Sequence, residues 1–172
     1  MKRALSFIYR AAFVLCLAMP VFAGHHEESG KKDIVGVAAE NDNFSTLVKA
    51  VKAAGLVSVL KQDGPYTVFA PTNEAFNTLP DGTLEMLLKP ENKDELKKVL
   101  TYHVLAQKVS AKQAMKTDTA RTVEGSEITL MTSMGKVMVN NANVIKADVM
   151  ASNGVIHVID KVLLPPQLMS SL

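Results

Sequence analysis

The chain has 172 residues, of which 48% are hydrophobic and 21% charged. That is enough for one domain whose core needs neither a metal nor a disulfide. The net charge is +2, yet Lys2, Arg3 and Arg10 alone carry more than that, so the chain beyond residue 23 is slightly acidic. A concentrated basic face for nucleic acid is excluded on that count. The absence of Trp and the presence of only three Tyr exclude a multi-aromatic stacking platform.

Residues 1–23 read as a secretory signal peptide. Lys2, Arg3 and Arg10 form its basic region, Ala11 to Met19 its apolar region, and Val21-Phe22-Ala23 its cleavage site. The apolar run is short for a membrane span. Leu15 stands before Cys16, where a lipoprotein signal wants a small residue. Cys16 is the single cysteine, so a chain processed after Ala23 has no disulfide, no thiolate nucleophile and no Cys-ligated zinc. The expected product is extracytoplasmic, periplasmic or secreted, without a stable membrane span. Residues 24–32, GHHEESGKK, form a flexible polar tail. The domain is expected over 33–166, followed by a C-terminal tail at 167–172.

Within the domain, Phe44, Leu47, Val48 and Val51 recur at helical spacing. Asn43 is placed to cap that helix at its start and Gly55 at its end. Tyr66-Thr67-Val68-Phe69 lies between Gly64-Pro65 and Pro71 and predicts a short strand. Thr72 or Asn73 then caps a helix carrying Glu74 in its first turn and Ala75, Phe76 and Leu79 on its buried side. A helix over about Leu84–Leu88 stops at Pro90. Asn92 and Glu95 have capping-box spacing and open a helix with Leu96, Val99, Leu100 and His103 on one face. Ser110 and Gln113 repeat that spacing before a last short helix.

The pattern changes near Thr119. Thr122-Val123, Ile128 to Leu130, Val137 to Val139, Val144-Ile145 and Val155 to Leu164 are short β-prone runs. Gly125, Gly135, Asn140-Asn141 and Asn153-Gly154 separate them, the last read as a turn with positive φ. Helices first and strands second predict an α+β domain. The predicted core comprises Phe44, Leu47, Val51, Val68, Phe69, Phe76, Leu96, Leu100, Ile156 and Val158. Met131, Met134, Met138 and Met150 read as core filler. His157 shares a strand face with Val155 and Ile159 and reads as a core histidine.

No G-x-S-x-G, G-x-G-x-x-G, G-x-x-x-x-G-K or H-E-x-x-H motif occurs, and only His103 and His157 lie inside the domain. The reading is non-catalytic.

Three blocks carry a family signal. They are Tyr66-Thr67-Val68-Phe69-Ala70-Pro71-Thr72-Asn73-Glu74-Ala75-Phe76, then Leu100-Thr101-Tyr102-His103-Val104-Leu105, then Ala151-Ser152-Asn153-Gly154-Val155-Ile156-His157-Val158-Ile159-Asp160-Lys161-Val162-Leu163-Leu164-Pro165. In order and spacing they resemble the fasciclin domain, over about Asp33 to Pro166. The resemblance implies an α+β fold, a β-sandwich or wedge of short strands decorated by several helices. It also implies an adhesion or extracellular interaction role. The expected partner is a surface or matrix protein, or a glycan, and the expected state a monomer. In animal matrix members, integrin binding is associated with the Tyr-His block and with an Asp-Ile pair just before the last block. Those positions are Tyr102, His103, Asp148 and Val149 here, with Val149 in place of Ile and with Lys146 and Ala147 departing from the common pattern.

The alternative reading is an extracytoplasmic small-ligand or metal-binding protein. Cleavage after Ala23 would expose Gly24-His25-His26. A free amine, two backbone amides and the His26 imidazole then supply four nitrogens in a plane, a donor set for Cu(II) or Ni(II).

Overall fold

The computed structural model describes residues 31–133 and 135–169. Residues 1–30 lie outside it, and with them the signal peptide and Gly24, His25 and His26. Eight α-helices among the described residues are α1 Ile34–Ala39, α2 Ser45–Ala54, α3 Val57–Leu60, α4 Asn73–Asn77, α5 Thr83–Leu88, α6 Lys93–Tyr102, α7 Ala111–Ala114 and α8 Pro166–Met169. The strands are β1 Tyr66–Pro71, β2 Val104–Leu105, β3 Thr119–Arg121, β4 Glu127–Ser133, β5 Lys136–Val139, β6 Ala142–Ala151 and β7 Gly154–Ile159. They link in the order β2-β1-β7-β6-β5-β4-β3. β1 and β7 run parallel, and every other pairing is antiparallel.

The two parallel strands are buried on both faces, and this divides the core. Val68, Ala70, Ile156 and Val158 face the helices, where they meet Ile34, Leu47, Val51, Phe76, Leu96 and Leu100. Phe69 and Ile159 face the other way, onto Tyr102, Leu105, Ile128, Leu130, Val137 and Val139. All ten predicted core residues are buried. The α+β expectation holds, with the strands hydrogen-bonded into one mixed sheet.

Some local expectations needed correction. Asn43 does not cap α2. A 3-10 turn over Asp42–Phe44 comes first, with the Asn41 side chain accepting from Asn43 N. The Asn73 carboxamide reaches across to accept from Thr46 N at 3.0 Å, while its amide donates to Asp42 O. Thr72 caps α4 through Ala75 N, which leaves Asn73 free for that task. Asn92 makes no N-terminal cap on α6; it donates to Met86 O and closes the end of α5. Ser110 and Gln113 do form a capping box, and Gly55 ends α2 in the left-handed conformation, φ 73°. Thr122 and Val123 fall just past β3. Helices α1, α3 and α8 are too short to show a period, and the last extends order into the expected C-terminal tail.

Neither Asn153 nor Gly154 has positive φ. Gly154 is required by close approach instead: a Cβ there would lie 2.1 Å from Tyr66 O on the parallel strand. Asn153 accepts from Ile34 N and donates to Leu60 O and Gln62 O, tying α1 and α3 to the β6–β7 turn. Two of the methionines read as core filler stand at the surface, while Met138 is half-buried. Met131 is 47% exposed and Met150 50% exposed, because among the described residues no layer covers the outer face of β4 or the end of β6 that carries Met150. Met134 falls outside the described residues.

Candidate functional site

α6 delivers Tyr102 and His103 inward. Both are 2% exposed and so present almost no surface to a partner. His103 Nδ1 lies 2.7 Å from Val99 O, and its Nε2 lies 2.9 Å from Leu163 N. A carbonyl only accepts and an amide N–H only donates, so the ring is neutral with its proton on Nδ1. Burial pushes His103 down to about 4, against a smaller opposing effect of the Val99 hydrogen bond. The Tyr102 hydroxyl donates to Glu127 O at 3.3 Å and accepts from Asn140 Nδ2 at 3.1 Å. Asn140 stands in the left-handed conformation at the β5–β6 turn, φ 52°. Tyr102 therefore pins α6 to the second half of the sheet.

His157 organises a second region. Its Nε2 donates to Val109 O at 2.7 Å, and its Nδ1 accepts from Asp148 N at 3.3 Å. Phe69 stacks on the ring with centroids 5.6 Å apart. Thr67 Oγ1 donates to Gln107 O and accepts from Val109 N. Asp148 has φ 54°, and its Oδ1 accepts from Ala111 N at the start of α7, 2.9 Å. A chain of hydrogen bonds thus runs from β1 and β7, through the loop before α7, to the middle of β6.

That stretch of β6 is irregular. Its register against β7 shifts between Val144 and Lys146 and again between Lys146 and Val149. Such shifts bend a strand and re-aim its side chains. Residues 145–148 are all exposed, and Ile145, at 58%, is the most exposed large hydrophobic among the described residues. Asp148 stands at this surface. Val149 is half-buried against the helical core. Tyr102 and His103 share no hydrogen-bond partner with Asp148. Sequence reasoning passed over Ile145, although Val144-Ile145 carried a signal: adjacent residues in a strand face opposite ways, and Val144 takes the inner face.

A groove of about 610 Å³ opens beside the bulge, lined by Ala111 of α7 and Met115 just past its end, Lys136 and Val137 of β5, Val144, Ile145 and Ala147 of β6, and Asp160. A separate cavity of about 40 Å³ lies between the first helices and β1, walled by apolar side chains and His103. It is far below the roughly 300–1,000 Å³ of a small-molecule pocket, and both nitrogens of its histidine are engaged. Among the described residues, no group of three His, Cys, Asp or Glu is placed to hold a metal ion, and no helix is long and apolar enough to cross a membrane.

Comparison with known proteins agrees with this geometry. The Fasciclin domain profile matches residues 42–165. Protein sll1483 of Synechocystis sp. is 60% identical over 133 residues, covering 77% of this chain and 73% of that protein. The cell surface glycolipoprotein MPT83 of Mycobacterium tuberculosis is 38% identical over 141 residues, 78% of this chain and 62% of its own. In structure, a FAS1 domain pair from the insect cell adhesion molecule fasciclin I superposes with a TM-score of 0.71 at 21% identity, over 79% of this chain and 52% of that one. The chain belongs to the fasciclin domain family, whose members include surface and adhesion proteins.

Proposed function

We propose that this protein is a non-catalytic extracytoplasmic interaction module that binds a surface or matrix protein through the bulged stretch of β6 and the neighbouring face of α7. The clamped bulge supports this reading best. Here Asp148 is tied at both its main-chain N–H and its carboxylate, so the segment is held in one shape before any partner arrives. Preorganisation lowers the ordering cost of binding. Export through the N-terminal signal places that surface outside the cytoplasm, in keeping with the cell-surface relative.

The test is attachment of the fluorescently labelled protein to intact cells and to envelope or matrix material of its source. Ile145→Asp changes an exposed side chain and should lower attachment without moving the urea midpoint. Asp148→Ala should lower attachment while costing about 1–3 kcal/mol of stability, through the lost Ala111 bond and through the left-handed backbone that alanine tolerates less well than Asp. Attachment unchanged in both folded variants would remove this surface from the reading. Tyr102→Ala and His103→Ala are poor probes, since each deletes a buried, hydrogen-bonded side chain.

A further inference from the structure

The turn between β6 and β7 holds the one Asn-Gly pair of the chain, Asn153-Gly154. That dipeptide is prone to loss of the side-chain amide, because a glycine nitrogen has no side chain beside it to hinder attack on the preceding carboxamide. The fold needs the glycine for another reason, the close approach of Tyr66 O. It therefore keeps a reactive pair at the point where α1, α3, β1 and β7 meet. Asn153 Oδ1 accepts from Ile34 N at 3.0 Å, and Nδ2 donates to Leu60 O at 2.7 Å and to Gln62 O at 3.0 Å. Both amide hydrogens are in use. The main chain is held as well. Asn153 O accepts from Tyr66 N at 3.0 Å, and Ser152 N donates to Lys32 O, just before α1, at 2.9 Å.

We infer that Asn153 is a deamidation site gated by α1: unreactive while the helix is docked, and converted to aspartate or isoaspartate once α1 leaves the turn. In the reaction Gly154 N bonds to Asn153 Cγ, the Cγ–Nδ2 bond breaks, and the Gly154 amide proton leaves with the side-chain nitrogen as ammonia. Water then opens the succinimide at either carbonyl. Cγ reaches Gly154 N only by turning away from α1 and α3, and the three carboxamide bonds oppose that turn. Their release is a local event, since α1 has six residues and a short peripheral helix opens at less cost than the sheet. The product does not restore the docked state. A carboxylate has no N–H for Leu60 O or Gln62 O and sets a negative charge against both carbonyls. Isoaspartate also lengthens the main chain by a methylene where the ladder closes between Ala151 and Gly154. One opening thus becomes permanent, and it uncovers Val51, Val68 and Ile156, which share a cavity wall with Ile34 and Ala38 of α1.

The test follows conversion of residue 153 by peptide mapping and mass spectrometry during incubation at mildly alkaline pH. The native protein should convert at least about tenfold more slowly than the chain in urea. Ile34→Ala, which weakens the seat of α1, should speed native conversion by about tenfold. Asp33→Ala, which removes the α1 cap on Gly36 N, should speed it by about threefold. Leu87→Ala on α5 weakens the core away from the turn and should leave the rate within about twofold of the parent. Asn153→Asp should quicken hydrogen exchange in α1 and α3, and the deamidated fraction of aged protein provides the same readout if that variant does not fold. Native conversion as fast as in urea overturns the protection. Equal acceleration by Leu87→Ala assigns the reaction to global unfolding and overturns the α1 gate, as does a rate unchanged by both Ile34→Ala and Asp33→Ala. Exchange in α1 and α3 that stays at the parent's rate after conversion overturns the release.

Discussion

His103 gives the sharpest quantitative expectation. It is neutral, fully enclosed, and bonded on both ring nitrogens to main chain, joining Val99 in α6 to Leu163 beyond β7. Protonation of Nε2 would set a second N–H against the Leu163 N–H and place a charge in the core. The folded protein takes up that proton only near pH 4, whereas the unfolded chain takes it up near the ordinary value of about 6.5. Between those values the unfolded state binds more protons, so stability rises with pH. The contribution is complete above about 6.5 and is lost as pH falls toward 4. At about 1.4 kcal/mol per pH unit the loss across the window is about 3 kcal/mol. Urea titrations across that range measure it, with His103→Gln as the reference. The variant lacks the titrating ring and should start lower by about 1–3 kcal/mol for the poorly satisfied main-chain groups. Subtracting its pH profile from the parent's cancels the carboxylates. A difference that stays flat from neutral pH down to about 4 would refute the neutral, buried assignment.

Gly154→Ala should cost about 3 kcal/mol in thermal or urea unfolding, because the new Cβ meets Tyr66 O within the central parallel pair; a loss within about 0.5 kcal/mol would show that the two strands separate freely there. Asn73→Ala should destabilise by about 0.5–2 kcal/mol, the scale of a helix cap, although Asn73 lies 27 residues from the amide it caps. Hydrogen exchange at the start of α2 should quicken in that variant, and unchanged exchange there would deny the long-range cap. For the N-terminus, we propose that a chain shown by mass spectrometry to begin at Gly24 binds Cu(II) one-to-one as a square-planar nitrogen complex. Adding one residue before Gly24, or His26→Ala, should abolish its visible band; equal binding by the extended chain would disprove the terminal chelate.

The sequence by itself determined the faces of the longer elements. The spacing of Phe44, Leu47 and Val51, and of Leu96, Val99, Leu100 and His103, fixed two buried stripes, because side chains three and four apart on a helix must share a side. Thr72, Ser110 and Gly55 announced their boundaries through local chemistry, since each acts within a few residues of itself. Alternation placed His157 inside on the face of β7 that it shares with Val155 and Ile159. Three residue blocks in order were enough to mark the family.

The tertiary structure alone decided who meets whom. Asn73, Asn92 and Asn153 are all short amides with turn-like neighbours, and nothing in their spacing distinguishes a residue that caps its own helix from one that caps another. Asn153 finds Ile34 N 119 positions away. Tyr102 stands one place off the apolar stripe of α6, yet it is buried because the second half of the sheet folds over it and supplies Glu127 O and Asn140 as partners. Met131 and Ile145 are left at the surface because, among the described residues, no layer covers the outer face of β4 or the bulge of β6. Periodicity reports which side of an element is apolar. Whether another element arrives to cover a given residue depends on chain segments far along the sequence, and that is settled only when the sheet closes between β1 and β7.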